Sequence, residues 1–173
     1  MSTPGDRAVL AAILNPLMPS LPDEAAEERI ASGGEEKLSP GEAAAMELEK
    51  AGVKAAESGH LEAALDSFHR AVAAAPQRAS CYNNRAQAWR IQGDVDAALA
   101  DLDKAIQLSG GTGKAACQAY TQRAQIWRLR QQDDKARADF EKAAALGSAF
   151  ASGQLVALNP YAAMCNKVCC FFD

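Results

Sequence analysis

The sequence predicts an all-α chain: a solenoid of three helix pairs with a C-terminal capping helix. Three observations predict it. First, the stretch Ala79–Leu108 holds two segments of helical apolar spacing, Tyr82, Ala86, Trp89 and Ile91, then Val95, Ala98, Leu99, Leu102 and Ile106. Gly93-Asp94 stands between them, a helix stop followed at once by a helix-start residue, so the segments form an antiparallel pair. Second, the pair occurs three times. With Gly52, Ala86 and Ala124 in register, Leu48, Tyr82 and Tyr120 align, as do Ala55, Trp89 and Trp127. In the second helices Ala64, Ala98 and Ala136 match, then Phe68, Leu102 and Phe140, then Ala71, Ala105 and Ala143. Third, 49% of the 173 residues are hydrophobic, and many are alanine, which suits close helix packing more than a thick sheet core.

The first register interval is 34 residues (52 to 86) and the second 38 (86 to 124). Gly110-Gly111-Thr112-Gly113 accounts for the extra length as a loop. This period, with its alternation of large and small places, resembles the tetratricopeptide repeat, TPR. The expected fold is therefore a TPR α-solenoid, with repeats at about 45–78, 79–112 and 117–150 inside a helical body spanning 39–147. Small residues let paired helices approach, and the tryptophans fill the space between neighbouring pairs. One pair cannot cover its own apolar face, so the pairs stack and need a cap at each end.

Taken in order, residues Thr3–Asn15 read as a short helix with Thr3 as cap, Pro4 in its first turn and Val9, Leu10, Ile13 and Leu14 as an apolar stripe. That stripe docks either on the solenoid or on a partner. Pro16, Pro19 and Pro22 break regular structure, and the acidic run from Asp23 to Lys37 reads as a flexible linker, making 1–38 a unit of its own. Ser39-Pro40-Gly41-Glu42 has capping-box spacing with proline at the first helical position. Helices are expected at about 40–58, 61–75, 79–92, 95–108, 114–130 and 134–146. The third pair has Gln131 where the first two have Gly59 and Gly93, which leaves its internal turn without the usual residue. A capping helix over Ser148–Leu158, stopped by Asn159-Pro160, opens the last unit, 148–173, which ends in a tail.

Composition excludes several functions. A net charge of −4 argues against general affinity for nucleic acid or anionic membrane. No run of about 20 apolar residues is present, so no transmembrane helix is expected. The N-terminus lacks the pattern of a secretory signal, and Ser2 precludes myristoylation. Five cysteines without a CxxC pair or a nearby histidine fit neither a disulfide framework nor a zinc site, and the chain reads as cytoplasmic with reduced thiols. Lipidation of Cys169 and Cys170 stays open. Gly110–Lys114 is not a phosphate loop, because Leu108 and Ala115 stand where glycine and a hydroxyl residue are needed. His60 and His69 read as surface residues without a role, and Asp101 and Asp139 as members of solvated faces. Without a nucleophile–base pair no enzyme is indicated, and no cofactor or metal.

In the repeat register, first-helix residues line the concave face. These are Glu49, Val53 and Glu57 in the first pair, Asn83, Asn84, Gln87 and Arg90 in the second, and Gln118, Thr121, Gln122, Gln125 and Arg128 in the third. The second and third pairs share Tyr-x-x-Arg-Ala-Gln-x-Trp-Arg at Tyr82–Arg90 and Tyr120–Arg128. Amides and two arginines suit an extended peptide and one carboxylate.

The repeats, with the N-terminal AVLAAILNP and the C-terminal ALNPYAAMCN, resemble the tetratricopeptide repeat protein 36 family over nearly the whole chain. The resemblance implies a non-enzymatic adaptor or co-chaperone-like scaffold holding a protein or peptide partner, with Hsp70 or Hsp90 chaperones as candidates. Chaperone-tail binders in the wider superfamily use a dicarboxylate clamp of Lys and Asn, then Asn, then Lys and Arg. Here those places hold Glu49, Val53, Asn84, Gln118 and Gln122, and only Asn84 matches, so a complete clamp is not expected. The alternative is a structural subunit of a stable intracellular assembly.

Overall fold

The computed structural model describes residues 39–159. The short N-terminal helix, the acidic linker and the tail beyond Asn159 lie outside the described residues. Seven helices run in order: α1 Pro40–Glu57, α2 Leu61–Ala74, α3 Ala79–Gln92, α4 Val95–Leu108, α5 Gly113–Leu129, α6 Asp133–Ala145 and α7 Ala149–Ala157. No strand occurs among the described residues.

Local chemistry sets the boundaries. Ser39 and Glu42 close a reciprocal capping box ahead of Pro40, with the Glu42 amide donating to Ser39 Oγ at 3.3 Å and the Ser39 amide donating to Glu42 Oε2 at 2.9 Å. Asp94 caps α4 by accepting from the Ala97 amide at 3.0 Å, and Ser148 caps α7 by accepting from Ala151 at 3.1 Å. Pro76 follows α2, and its carbonyl accepts from Tyr82 Oη at 3.0 Å, tying that connection to α3. Between α3 and α4 the chain reverses through Gly93 at φ +96°. In the third pair Gln131 takes the same left-handed turn at φ +57°, a conformation in which a side chain crowds the following carbonyl.

Paired helices α1/α2, α3/α4 and α5/α6 stack in sequence; α2 meets α3, α4 meets α5, and α7 covers α6. The core is shared between pairs. Ala88 of α3 lies in a cluster with Ala56, Ala64, Leu65 and Phe68 of the first pair. Ala119 and Ile126 of α5 join Tyr82, Ala86, Ala98 and Leu102. Ala151 of the capping helix joins Tyr120, Ala124, Ala136 and Phe140. Trp89 is partly buried and touches the first two of these clusters, so it bridges two pairs as the register predicts. Trp127 is also partly buried but belongs to the last cluster alone, with Lys135 Nζ 4.7 Å from its ring centre.

The small-residue column has a direct cause at Gly52. A Cβ there would stand 2.5–2.8 Å from three atoms of the Phe68 ring, closer than carbon atoms tolerate. His69 is exposed, as read, with its ring edge-on to Trp89 at 5.5 Å and its Nδ1 2.7 Å from the Leu65 carbonyl. One sequence reading needs correction here: Asp101 and Asp139 are buried rather than solvated, for reasons given below.

Two substitutions test this account. Gly52→Ala gains roughly 1 kcal/mol of helix propensity but overpacks a rigid ring, at about 2–3 kcal/mol. A net loss of about 1–2 kcal/mol is expected in urea melts. Gln131→Gly should instead raise stability by about 0.5–1 kcal/mol, because relief of left-handed strain outweighs the added chain entropy.

Candidate functional site

The first helices of the pairs, α1, α3 and α5, lie side by side along one face of the stack. Every residue anticipated as a peptide contact belongs to them, but the structure gives many of those side chains another task. Asn84 Nδ2 donates to Glu49 Oε1 at 3.0 Å, linking α3 to α1. Arg90 Nη1 donates to Gln125 Oε1 at 2.6 Å, linking α3 to α5. Arg128 Nη1 donates to Gln154 Oε1, linking α5 to the capping helix. These are three polar rungs, each holding one first helix to the next layer.

Glu49 is the most heavily engaged of these groups. It is 8% exposed and accepts from Arg78 Nε at 3.1 Å as well as from Asn84. The Cys81 thiol lies against the same carboxylate. Burial first, and the Glu49 charge second, push that thiol up to about 12 from its ordinary 9.0. Asn83 and Thr121 are each 1% exposed. Asn83 Nδ2 donates to the Ala115 carbonyl at 2.8 Å, and Thr121 Oγ donates to the Cys117 carbonyl at 2.8 Å. Gln87 and Gln122 are buried, and Gln118 is half-buried. Burial also works against the charge of Arg90, whereas Arg128 is exposed.

At the α1 end the concave face opens into a groove of about 620 Å³ lined by Met46, Glu49, Lys50, Val53, Lys54, Glu57 and Arg78. Glu49, Val53 and Glu57 were legible from the register. Met46, Lys50, Lys54 and Arg78 were missed, although Met46, Lys50, Val53, Lys54 and Glu57 fall at i, i+4, i+7, i+8 and i+11, one stripe of a helix.

Within each of the last two pairs, arginines cross from the first helix to the second. Arg85 Nε and Nη2 donate to the Asp101 carboxylate at 2.8 and 2.7 Å. Arg123 does the same to Asp139 at 2.7 Å for both bonds and also reaches Asp103 at 2.5 Å. Each guanidinium lies over the ring of the preceding tyrosine, Tyr82 at 5.6 Å and Tyr120 at 5.5 Å. Hydrogen bonding by the aspartates holds both arginines more firmly charged than usual. Bidentate pairing explains why Asp101 and Asp139 are buried. The signal was present as an arginine and an aspartate 16 residues apart in two copies, with Ala51 and Ser67 in the first.

No group of three or more potential metal ligands occurs among the described residues. None of the helices among them is long and apolar enough to cross a membrane.

A family model for the tetratricopeptide repeat matches residues 78–109. The chain is 51% identical to tetratricopeptide repeat protein 36 of Mus musculus, covering 97% of this chain and 92% of that one. It is 57% identical to the protein of that name in Caenorhabditis elegans, covering 97% and 93%, and 50% identical to that of Homo sapiens, covering 97% and 92%. The chain belongs to the tetratricopeptide repeat protein 36 family. Among solved structures, the first TPR of Spaghetti (RPAP3) bound to the HSP90 peptide SRMEEVD is similar at TM-score 0.61 and 23% identity, covering 68% of this chain and 91% of that one. The Arabidopsis OM64 TPR domain is similar at TM-score 0.61 and 22% identity, covering 68% and 96%. These likenesses establish the TPR solenoid.

The Cys81 environment makes a testable statement. A thiol whose acidity is suppressed by folding favours the native state below its unfolded value near 9, and that contribution fades as pH rises toward 12. At pH 8 Cys81, which is fully buried, should alkylate with iodoacetamide at least ~100-fold more slowly in the native chain than in denaturant, as read peptide by peptide in mass spectra.

Proposed function

We propose that this protein is a non-enzymatic, cytoplasmic adaptor, a co-chaperone-like scaffold that holds a partner or client protein on its concave face. The observation that carries this reading is the polar, continuous face formed by α1, α3 and α5, in a family built from a protein-interaction repeat. The similar TPR domains of Spaghetti bound to an HSP90 peptide support a protein or peptide as the ligand class.

The chemistry of the face argues against the acidic tail itself as that ligand. A terminal dicarboxylate needs several uncommitted donors carrying positive charge. Two clamp places hold Gln118 and Gln122, the latter buried. A third, Asn84, already donates to Glu49, and Glu49 carries a negative charge where a lysine would be needed. Arg128, exposed near α7, is the better anchor for a single carboxylate of an extended peptide, with Gln118 hydrogen-bonding the peptide backbone.

Isothermal calorimetry with the peptide SRMEEVD tests this. Binding weaker than about 100 μM, roughly −5.5 kcal/mol, is expected. Low-micromolar binding abolished by Asn84→Ala would mean that the face works as a clamp. A partner captured from cytosol should lose affinity about tenfold with Arg128→Ala, about 1.4 kcal/mol. Stoichiometric capture indifferent to that substitution would favour a fixed structural subunit over an adaptor.

A further inference from the structure

The repeat register reveals a place on α1 that its copies do not leave open. Where α1 has Val53 and Lys54, α3 has Gln87 and Ala88, and α5 has Gln125 and Ile126. In the copies this face is covered by the preceding pair: Ala88 and Ile126 are each 1% exposed, and Gln125 accepts from Arg90. On α1 no described element precedes it. Val53 is 39% exposed, and the groove over it sets Met46 and Val53 among side chains of both charges, Lys50, Lys54 and Arg78 with Glu49 and Glu57. Its shape and position are those of a seat for one more helix.

We propose that residues 3–15 of this chain occupy that seat as a helix, with Val9, Leu10, Ile13 and Leu14 over Met46 and Val53. Three features single out this occupant. The stripe has helical spacing, and twenty-three residues, 16–38, separate Asn15 from Ser39. Fully extended, those residues reach about 76 Å, whereas Val53 lies only about 21 Å along α1 from Ser39. A tether also keeps the stripe at a higher effective concentration than any free partner of equal affinity. The docked segment would cap the first pair, as α7 caps the third. This inference stands whether or not the concave face binds a client.

Hydrogen exchange on the full-length chain tests it reciprocally. Ile13→Asp should speed exchange of the amides of residues 50–57 by at least ~tenfold, and Val53→Asp, a change at an exposed position, should speed exchange of residues 8–15 by a similar factor. Residues 95–145 serve as the internal control and should not change. If neither segment responds to the other's substitution, the proposal is overturned. Protection of both segments that vanishes on dilution, together with a dimer mass in light scattering, assigns the seat to a second copy and also overturns it. So does a segment 8–15 that is unprotected in the purified protein and protected only after a separate partner is added.

Discussion

A single antiparallel helix pair has two sides to bury and only one partner helix with which to bury them. Everything else in this structure follows from that deficit. Ala88 completes the core of the pair before it, Ala119 and Ile126 that of the second, and Ala151 that of the third. No pair has a core of its own, so stability is carried by the interfaces between neighbours. Small residues are needed wherever axes approach, and at Gly52 even one methyl is too much because Phe68 already fills the gap.

Polar groups are distributed according to the same geometry. Within a pair, the Arg85–Asp101 and Arg123–Asp139 bonds cross from first helix to second, where a guanidinium can be sandwiched between carboxylate and tyrosine ring. Between pairs, Asn84–Glu49, Arg90–Gln125 and Arg128–Gln154 connect successive layers. Apolar contact is non-directional and tolerates sliding. Hydrogen bonds have a fixed length and direction, so these rungs add a register between layers that apolar contact alone does not specify.

Much of the fold was legible because it is local. The period, the small-residue columns, the Ser39–Glu42 box and the Gly93-Asp94 turn are patterns along the chain, and the helix ends fell within a residue or two of those read from them. The turn at Gln131 was harder, since left-handed geometry there is imposed by stacking and not by the residue. That Asn84, Gln87 and Arg90 share one first helix was legible too, but the commitment of Asn84 and Arg90 to neighbouring layers was not. Whether an amide points to a ligand or to the next helix depends on packing across 35 residues of sequence. The burial of Asp101 and Asp139 was missed for the same reason: an aspartate on a polar-looking helix face gives no local sign of the arginine that will cover it.

The bond from Asn83 Nδ2 to the Ala115 carbonyl reaches past the four-residue lengthening at Gly110–Gly113. It fixes the first turn of α5 directly against α3, independently of how the chain travels between α4 and α5. The contact across the longer spacing is thus held by a bond that does not run through the connection. That connection is a splice point: a change in its length leaves the bond between α3 and α5 in place. The turns at Gly93 and Gln131 have no such latitude, because there the reversal of the chain is itself what brings the two helices together.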